Sequence, residues 1–341
     1  MNKKWISVLQ IAATYIGTVV GAGFATGKEI YEFFTRFGFL GLIGIVFSGL
    51  LFSLIGTKIM IISHRIKASS YQEFNNYLFG NKFGQLINVL TMIILYGITS
   101  VMLSGTGAIF KEQLGVPYFI GIILTLIITF IIMAGGLNGV LGINSLVVPM
   151  MLIFSFILWI TIDFPSTKPT QHLYEWTAYL NPLLYVAFNL AMAQAVLVPL
   201  GKEMDEENTI KWGGILGGLG LTIMLISYHI ALASLTNVNS YDIPMAEIIQ
   251  KFGMLIHLLF LFVIYGEILT TLVGNVFGLT RQIQSIIHMP EKLIVLLILA
   301  LSFIISLIGF GTLLSFLYPL FGYVGLLLLV TVLFFKLSTA K

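Results

Sequence analysis

Gly17-Thr18-Val19-Val20-Gly21-Ala22-Gly23-Phe24-Ala25-Thr26-Gly27 places four glycines in eleven residues, inside an apolar stretch that runs from 6 to 36. Glycine costs about 1 kcal/mol per position in a helix interior, and roughly 20 apolar residues already cross a hydrocarbon core about 30 Å thick. A stretch too long for one crossing and this rich in glycine predicts a span that unwinds at mid-depth. Free backbone groups are tolerated there only where they line a cavity or meet a ligand. The freed amides of one half-helix suit an anion such as a carboxylate, and the freed carbonyls of the other suit a cation. Close packing through small residues would explain the glycines but not the excess length.

The rest of the chain reads as membrane in the same way. Across 341 residues the hydrophobic fraction is 58% and the charged fraction 9%, with a mean hydropathy of +1.02; an ordinary soluble domain carries about 25% charged residues. The predicted fold class is all-α integral membrane, with spans at 6–36, 39–62, 84–110, 117–134, 143–163, 183–200, 212–235, 254–280, 292–309 and 313–335. Lys3 and Lys4 precede an apolar stretch longer than the core of a signal peptide, so it is read as a retained first span. Within 63–83, Tyr71, Phe74, Tyr77 and Leu78 form a stripe suited to a helix on the membrane surface. Within 164–182, Trp176 and Tyr179 suit interface depth.

With the N-terminus inside, the inner loops collect Lys3, Lys4, Lys58, Arg65, Lys67, Lys82, Lys202, Lys211, Arg281, Lys292, Lys336 and Lys341, twelve of the seventeen basic residues. Lys28, Arg36, Lys111, Lys168 and Lys251 fall outside. That bias predicts a multi-pass protein of the bacterial cell membrane with both termini cytoplasmic. It also accounts for the net charge of +3 without a nucleic-acid partner. With no cysteine there is no disulfide or thiolate site, and the five histidines do not cluster at ligand spacing, so no cofactor is expected.

Three landmarks recur in one order. Gly27-Lys28-Glu29-Ile30 matches Gly201-Lys202-Glu203-Met204, LYGITSVMLSG at 95–105 matches IYGEILTTLVG at 264–274, and Val116-Pro117 matches Met289-Pro290, at offsets of 174, 169 and 173. Two sets of five spans, an odd number, must be inverted relative to each other, which gives repeats of about 6–163 and 183–335 within one transmembrane domain, 1–341. Span six is then predicted to be broken like span one. It carries the amides Asn189 and Gln194, suited either to binding or to interhelical hydrogen bonding, and Pro199 near its inner end.

Glu267 is the acidic residue the hydropathy places deep within a span, a default sign of ion coordination or proton relay. Thr270 and Thr271, three and four residues on, share its face. Lys28 and Glu29 fall in the outer vestibule, either as a gate or as a solvated helix end. His229 and His257 read as structural. Tyr15, Tyr96 and Phe24 would wall a pocket or pack, and Asn144 and Ser145, near the inner start of span five, would face the ion site in a fold of this kind.

The stretch GTVVGAGFATGKEI, the 5+5 inverted repeat and the E-x-x-T-T of span eight resemble the YkvI family of uncharacterised bacterial membrane proteins. That family is similar to a branch of the amino acid–polyamine–organocation superfamily, whose fold is LeuT-type. The resemblance implies that Gly17 and Val20 give carbonyls, Thr270 and Thr271 hydroxyls, and Glu267 a carbonyl to a sodium site between spans one and eight. It also implies that Gly21, Ala22, Gly23, Phe24 and Ala25 line the substrate, with Tyr96, Asn189 and Gln194 completing the pocket. Phe24 stands where relatives with a second sodium site use an asparagine. The segment 143–163 has no lysine of the kind that replaces sodium in proton-coupled relatives. A glutamate at 267 keeps a proton role open.

The expected function is secondary active transport of a small zwitterionic solute, foremost an amino acid, coupled to sodium or protons. The alternative is a receptor that keeps the carrier fold and binds an amino acid without moving it. An enzyme is disfavoured because no Ser/His/Asp set, metal cluster or paired carboxylates fall at one depth.

Overall fold

The computed structural model describes residues 3–135, 149–151, 153–158, 176–235, 237–284 and 287–336. Among them all regular structure is helical. Glycines set the first boundaries: α1 (Lys3–Val19) stops at the Val20–Gly21 junction, α2 (Ala22–Thr26) follows, and Gly27 separates it from α3 (Lys28–Phe33). A short 3-10 turn leads to α4 (Phe39–Leu51), which continues through a π turn (Phe52–Gly56) into α5 (Thr57–Ile66). Then come α6 (Tyr71–Ala108), a second π turn (Ile109–Gln113) and α7 (Tyr118–Gly135). The remaining helices are α8 (Pro149–Leu158), α9 (Thr177–Glu203), α10 (Glu207–Ala233), α11 (Pro244–Gln250), α12 (Met254–Gln284), α13 (Glu291–Ser306) and α14 (Phe310–Phe334).

Six helical stretches among the described residues are long and apolar enough to cross a membrane: Phe39–Ile66, Tyr71–Gln113, Thr177–Glu203, Glu207–Ala233, Met254–Gln284 and Phe310–Phe334. Unwinding divides the first predicted span into pieces, so α1, at 17 residues, is shorter than a full crossing. Most of the predicted span 143–163, with Asn144 and Ser145, lies outside the described residues.

Span six departs from expectation, because α9 is one unbroken helix from Thr177 to Glu203 with Pro182 and Pro199 inside it. Each proline removes one intrahelical bond, and in a membrane neighbouring helices can re-satisfy the freed groups. Pro182 frees the carbonyl of Ala178 and Pro199 that of Ala195; separately, Ser48 Oγ ties α4 to α9 by donating to Pro182 O at 3.3 Å. The α9 backbone is also clasped: a methyl on Gly325 would meet Ala187 O at 2.3 Å, and one on Gly201 would meet Met60 O at 2.3 Å.

The amphipathic stripe at 71–78 is helical and opens on a capping box, with Ser70 Oγ accepting from Glu73 N and Glu73 Oε2 accepting from Ser69 N. Gly80, at φ 74°, breaks it from the rest of α6. It folds back onto the bundle, with Phe74 buried and Asn75 Nδ2 donating to Asn88 Oδ1 at 3.0 Å.

Without a hydrophobic drive between helices in lipid, close contact through small residues holds the bundle. On α10, Gly213 and Gly217 face Ile11 and Tyr15 of α1, and Gly214 and Gly218 face Thr57 and Ser53. Tyr15 Oη enters the π turn and donates to Phe52 O at 2.8 Å.

Bonds at the helix ends fix directions. Arg65 and Lys4 pair with Glu207 and Glu206, so α1 and α10 start where α5 and α9 finish. Tyr71 Oη donates to Gln282 Oε1 at 2.7 Å, while at the opposite end His257 Nε2 meets Gln113 Oε1 at 2.9 Å, so α6 and α12 run antiparallel. Tyr118 Oη donates to Ser306 O at 2.9 Å, so α7 starts where α13 ends.

Candidate functional site

The hydrogen-bond ladder of α1 ends with Val20 N donating to Ile16 O at 2.8 Å and resumes with Ala25 N donating to Gly21 O at 2.9 Å. Between those bonds the carbonyls of Gly17 to Val20 and the amides of Gly21 to Phe24 are left without helical partners. This is the unwinding that the glycines predict, and Gly17, Val20, Gly21, Ala22, Gly23, Phe24 and Ala25 all lie on it. Ala22 to Ala25 are buried.

Helix α12 packs against α2 and brings the predicted cation ligands with it. Thr270 Oγ1 lies 3.0 Å from Glu267 O, so a hydroxyl and a carbonyl oxygen are paired on one turn. Glu267 is 2% exposed and its Oε1 has no hydrogen-bond partner. Tyr228 of α10 is its ionisable neighbour, and the Tyr228 ring meets Phe24 edge-on at 5.2 Å.

Gly27 controls what lies on the other side of the break. Its φ of 80° is open to glycine at little cost and turns the chain between α2 and α3. Glu29 therefore folds back over α2: a methyl on Gly23 would sit 2.4 Å from Glu29 Oε2 and 3.2 Å from Tyr318 Oη. Asn189 Nδ2 of α9 donates to Glu29 Oε1 at 3.5 Å and to Tyr185 O at 3.0 Å. Tyr185 Oη adjoins the same carboxylate but makes no hydrogen bond of full geometry. Phe33, Phe34, Phe52 and Phe188 pack their rings around Tyr185 within 5.9 Å. Among the described residues no ammonium or guanidinium approaches Glu29 or Glu267 within 4.0 Å.

Three expectations move. Lys28 and Glu29 are not a solvated helix end, being 5% and 3% exposed. Tyr96 lies away from the break: it lines an apolar groove of about 360 Å³ with Ile283, Ile287, Ile294 and Leu301, and packs on a second hydrophobic cluster that excludes α2. Gln194 turns onto its own helix, donating to Ala191 O at 2.9 Å and leaving Oε1 buried and unpartnered. Tyr15 serves the π turn, and His229 and His257 bond to Thr35 and Gln113.

Among the described residues, bonds join separate elements at both ends of the bundle. At the α1 end stand Lys4–Glu206, Arg65–Glu207 and Lys202 on Ser69. At the other end Lys28 Nζ donates to Tyr241 O at 2.9 Å, Asp242 Oδ1 accepts from Gly311 N at 3.0 Å, and Glu112 accepts from Asp242 N and Ile243 N at 2.7 and 3.0 Å.

The chain is 46% identical over 330 residues to the uncharacterised membrane protein YkvI of Bacillus subtilis (strain 168), a match covering 96% of this chain and 95% of that protein. It belongs to the YkvI family. A further relative, the uncharacterised protein YyaD of the same organism, is 28% identical and covers 98% of this chain and 96% of its own length. No family model matches the chain. Among solved structures this YkvI-family fold is similar to a Na+-coupled sialic acid symporter in a substrate-bound outward-open state, with a TM-score of 0.62 and 13% identity, over 88% of this chain and 71% of that one. It is also similar to a mutant form of the Eremococcus coleocola manganese transporter, with a TM-score of 0.61 and 12% identity, over 95% of this chain and 76% of that one. At such identities the likeness concerns the fold. The YkvI-family chain is therefore a membrane protein with a fold seen in transporters.

In this YkvI-family chain α12, which carries Glu267, Thr270 and Thr271, packs on α2 as expected, whereas Glu29, Tyr185, Tyr228 and Tyr318 were not read from the sequence as neighbours of the break. The available signal for Glu29 was its place in Lys28-Glu29-Ile30-Tyr31-Glu32-Phe33, where Glu29 and Phe33, four residues apart, share one helical face while Glu32 and Arg36 share another.

Proposed function

We propose that the protein is a secondary active transporter that binds a small zwitterionic solute, foremost an amino acid, at the break between α1 and α2, and couples its movement to sodium. The observation that carries this reading is the gap in the ladder between Val20 N and Ala25 N, flanked by buried Glu267 and Thr270. Backbone polar groups freed inside an apolar bundle are costly unless a ligand or water meets them. The amides of Gly21 to Phe24 suit the carboxylate of the solute. The carbonyls of Gly17 and Val20, with Glu267 O and the Thr270 and Thr271 hydroxyls, are the hard oxygen donors a sodium ion takes. If Glu267 itself carries the coupling charge, that charge is a proton.

The fuller architecture belongs to the same proposal: ten crossings as two inverted sets of five, both termini cytoplasmic, in the bacterial cell membrane. The antiparallel pairs α1 and α9, α6 and α12, and α7 and α13 support it, because each joins elements that the sequence landmarks match. The freed amides of Gly21 to Phe24, which suit a carboxylate, are what favour an organic solute over a metal ion as the cargo. The protein is not an enzyme in this reading.

The test is uptake of radiolabelled amino acids into proteoliposomes under an imposed sodium gradient, an imposed pH gradient, or neither. Accumulation under the sodium gradient is expected. Binding without accumulation under any gradient would sink the transport reading in favour of a receptor.

A further inference from the structure

The carboxylate of Glu29 is buried among neutral partners on three elements: Gly23 of α2, Tyr185 and Asn189 of α9, and Tyr318 of α14. The other titratable groups around α3 are turned elsewhere. Lys28 Nζ donates to the carbonyls of Asn239 and Tyr241 at 3.4 and 2.9 Å, Glu32 pairs with Arg36 at 3.1 Å, and His229 of α10 bonds Thr35 at 3.1 Å. An ionised carboxylate held with no opposite charge in a dry bundle is strongly disfavoured. Some cation must therefore accompany it, and the space limits which. A single methyl on Gly23 would stand 2.4 Å from Glu29 Oε2 and 3.1 Å from the Tyr318 ring, so the carboxylate is packed closely on the α2 side, and a proton is the cation that needs no further space or ligand shell. The buried hydroxyl of Tyr185, lacking a bond of full geometry, adjoins the carboxyl and can either donate to its oxygen or accept an O–H from it.

We infer that Glu29 is a proton-binding site, separate from the cation ligands of α12, which holds a proton whenever α2 and α3 lie closed against α9 and α14. A water-borne proton forms an O–H bond to a Glu29 oxygen before closure. Turning α2 and α3 about Val20–Gly21 withdraws the carboxyl from Tyr185 and Asn189 into water, where the proton leaves as hydronium. One proton is bound and released for each swing. The bound state needs only the geometry above; the cycle rests on the transport reading.

The experiment is infrared spectroscopy of the purified protein in lipid, following the carbonyl stretch of protonated carboxylic acids at neutral pH. An E267Q background removes overlap from the other buried carboxyl. E29Q is expected to abolish one carboxyl equivalent of this band, and E29D to shift it in frequency. Either variant alone gives the reading if the other fails to fold. Spectra of E29Q and E29D that superimpose on their parent would overturn the inference.

Because the band needs no solute, it fails independently of transport. A lost band with no solute movement removes the carrier reading and leaves Glu29 as the proton site. An unchanged band with sodium-driven uptake removes Glu29 and leaves the carrier. Where uptake is driven by a pH gradient, E29Q should lower accumulation at least tenfold, and unaltered pH-driven accumulation would exclude Glu29 from coupling.

Discussion

Phe24 and Tyr228 meet edge-on, with ring centroids 5.2 Å apart and planes at 61°. The contact joins the short helix after the break to α10, on the side where Tyr228 neighbours Glu267. Tyr228→Phe keeps the ring pair and should change unfolding stability by less than about 1.5 kcal/mol. Tyr228→Ala leaves a cavity against Phe24 and should cost about 3–5 kcal/mol. Thermal unfolding in detergent distinguishes the two, and equal losses would show that the ring contact does not anchor α2.

Thr271→Val removes one hydroxyl without changing side-chain shape much. Losing one ligand oxygen at about 1.4 kcal/mol corresponds to roughly a tenfold higher sodium requirement. Uptake measured across a sodium titration reads this directly. An unaltered sodium dependence would take Thr271 out of the ion site.

Gly27 and Gly278 form a matched pair. Gly27 has φ 80°, and a methyl there would stand 2.5 Å from Met245 Cγ, whereas a methyl on Gly278 would meet nothing within 4 Å. Gly27→Ala should lower stability by at least about 1–2 kcal/mol, while Gly278→Ala in the middle of α12 should raise it by about 0.4–1 kcal/mol. Detergent melting curves check the pair, and a neutral Gly27→Ala would mean that α2 and α3 do not need this turn.

Tyr96→Phe should leave solute affinity and uptake unchanged, because Tyr96 lines the apolar groove between α6, α12 and α13 rather than the break. A severalfold rise in the solute concentration for half-maximal uptake would return Tyr96 to the pocket.

The broken first span was legible because the glycine cluster and the excess length are local properties of 6–36. The directions of α6 and α12 followed from two matched motifs. Continuity of α9 was not legible: the repeat with span one argues for a break and Pro199 for a local interruption, while the close backbone approaches of Met60 on α5 to Gly201 and of Gly325 on α14 to Ala187 come from helices far away in sequence. Glu29 was misplaced for a related reason. Its burial depends on the left-handed turn at Gly27, which reverses the direction a continuing helix would have given it, and on aromatic rings contributed by α4–α5, α9 and α14. Tyr96 shares a Tyr-Gly motif with α12, and a shared motif marks a position in the fold without saying which face it presents.

The five residues of α2 hang between two non-helical joints, Val20–Gly21 and Gly27. Such a segment is about 7.5 Å long and works as a rocker: it can tip while α1 stays seated on the glycine face of α10. All five of its residues are buried, so any tip exchanges one set of contacts for another, and the position that a ligand contacts better is the one it favours. A small hinged lever of this kind makes the resting population easy to bias. Substitutions at either joint should therefore yield proteins trapped in a single posture, suited to capturing each one for structure determination.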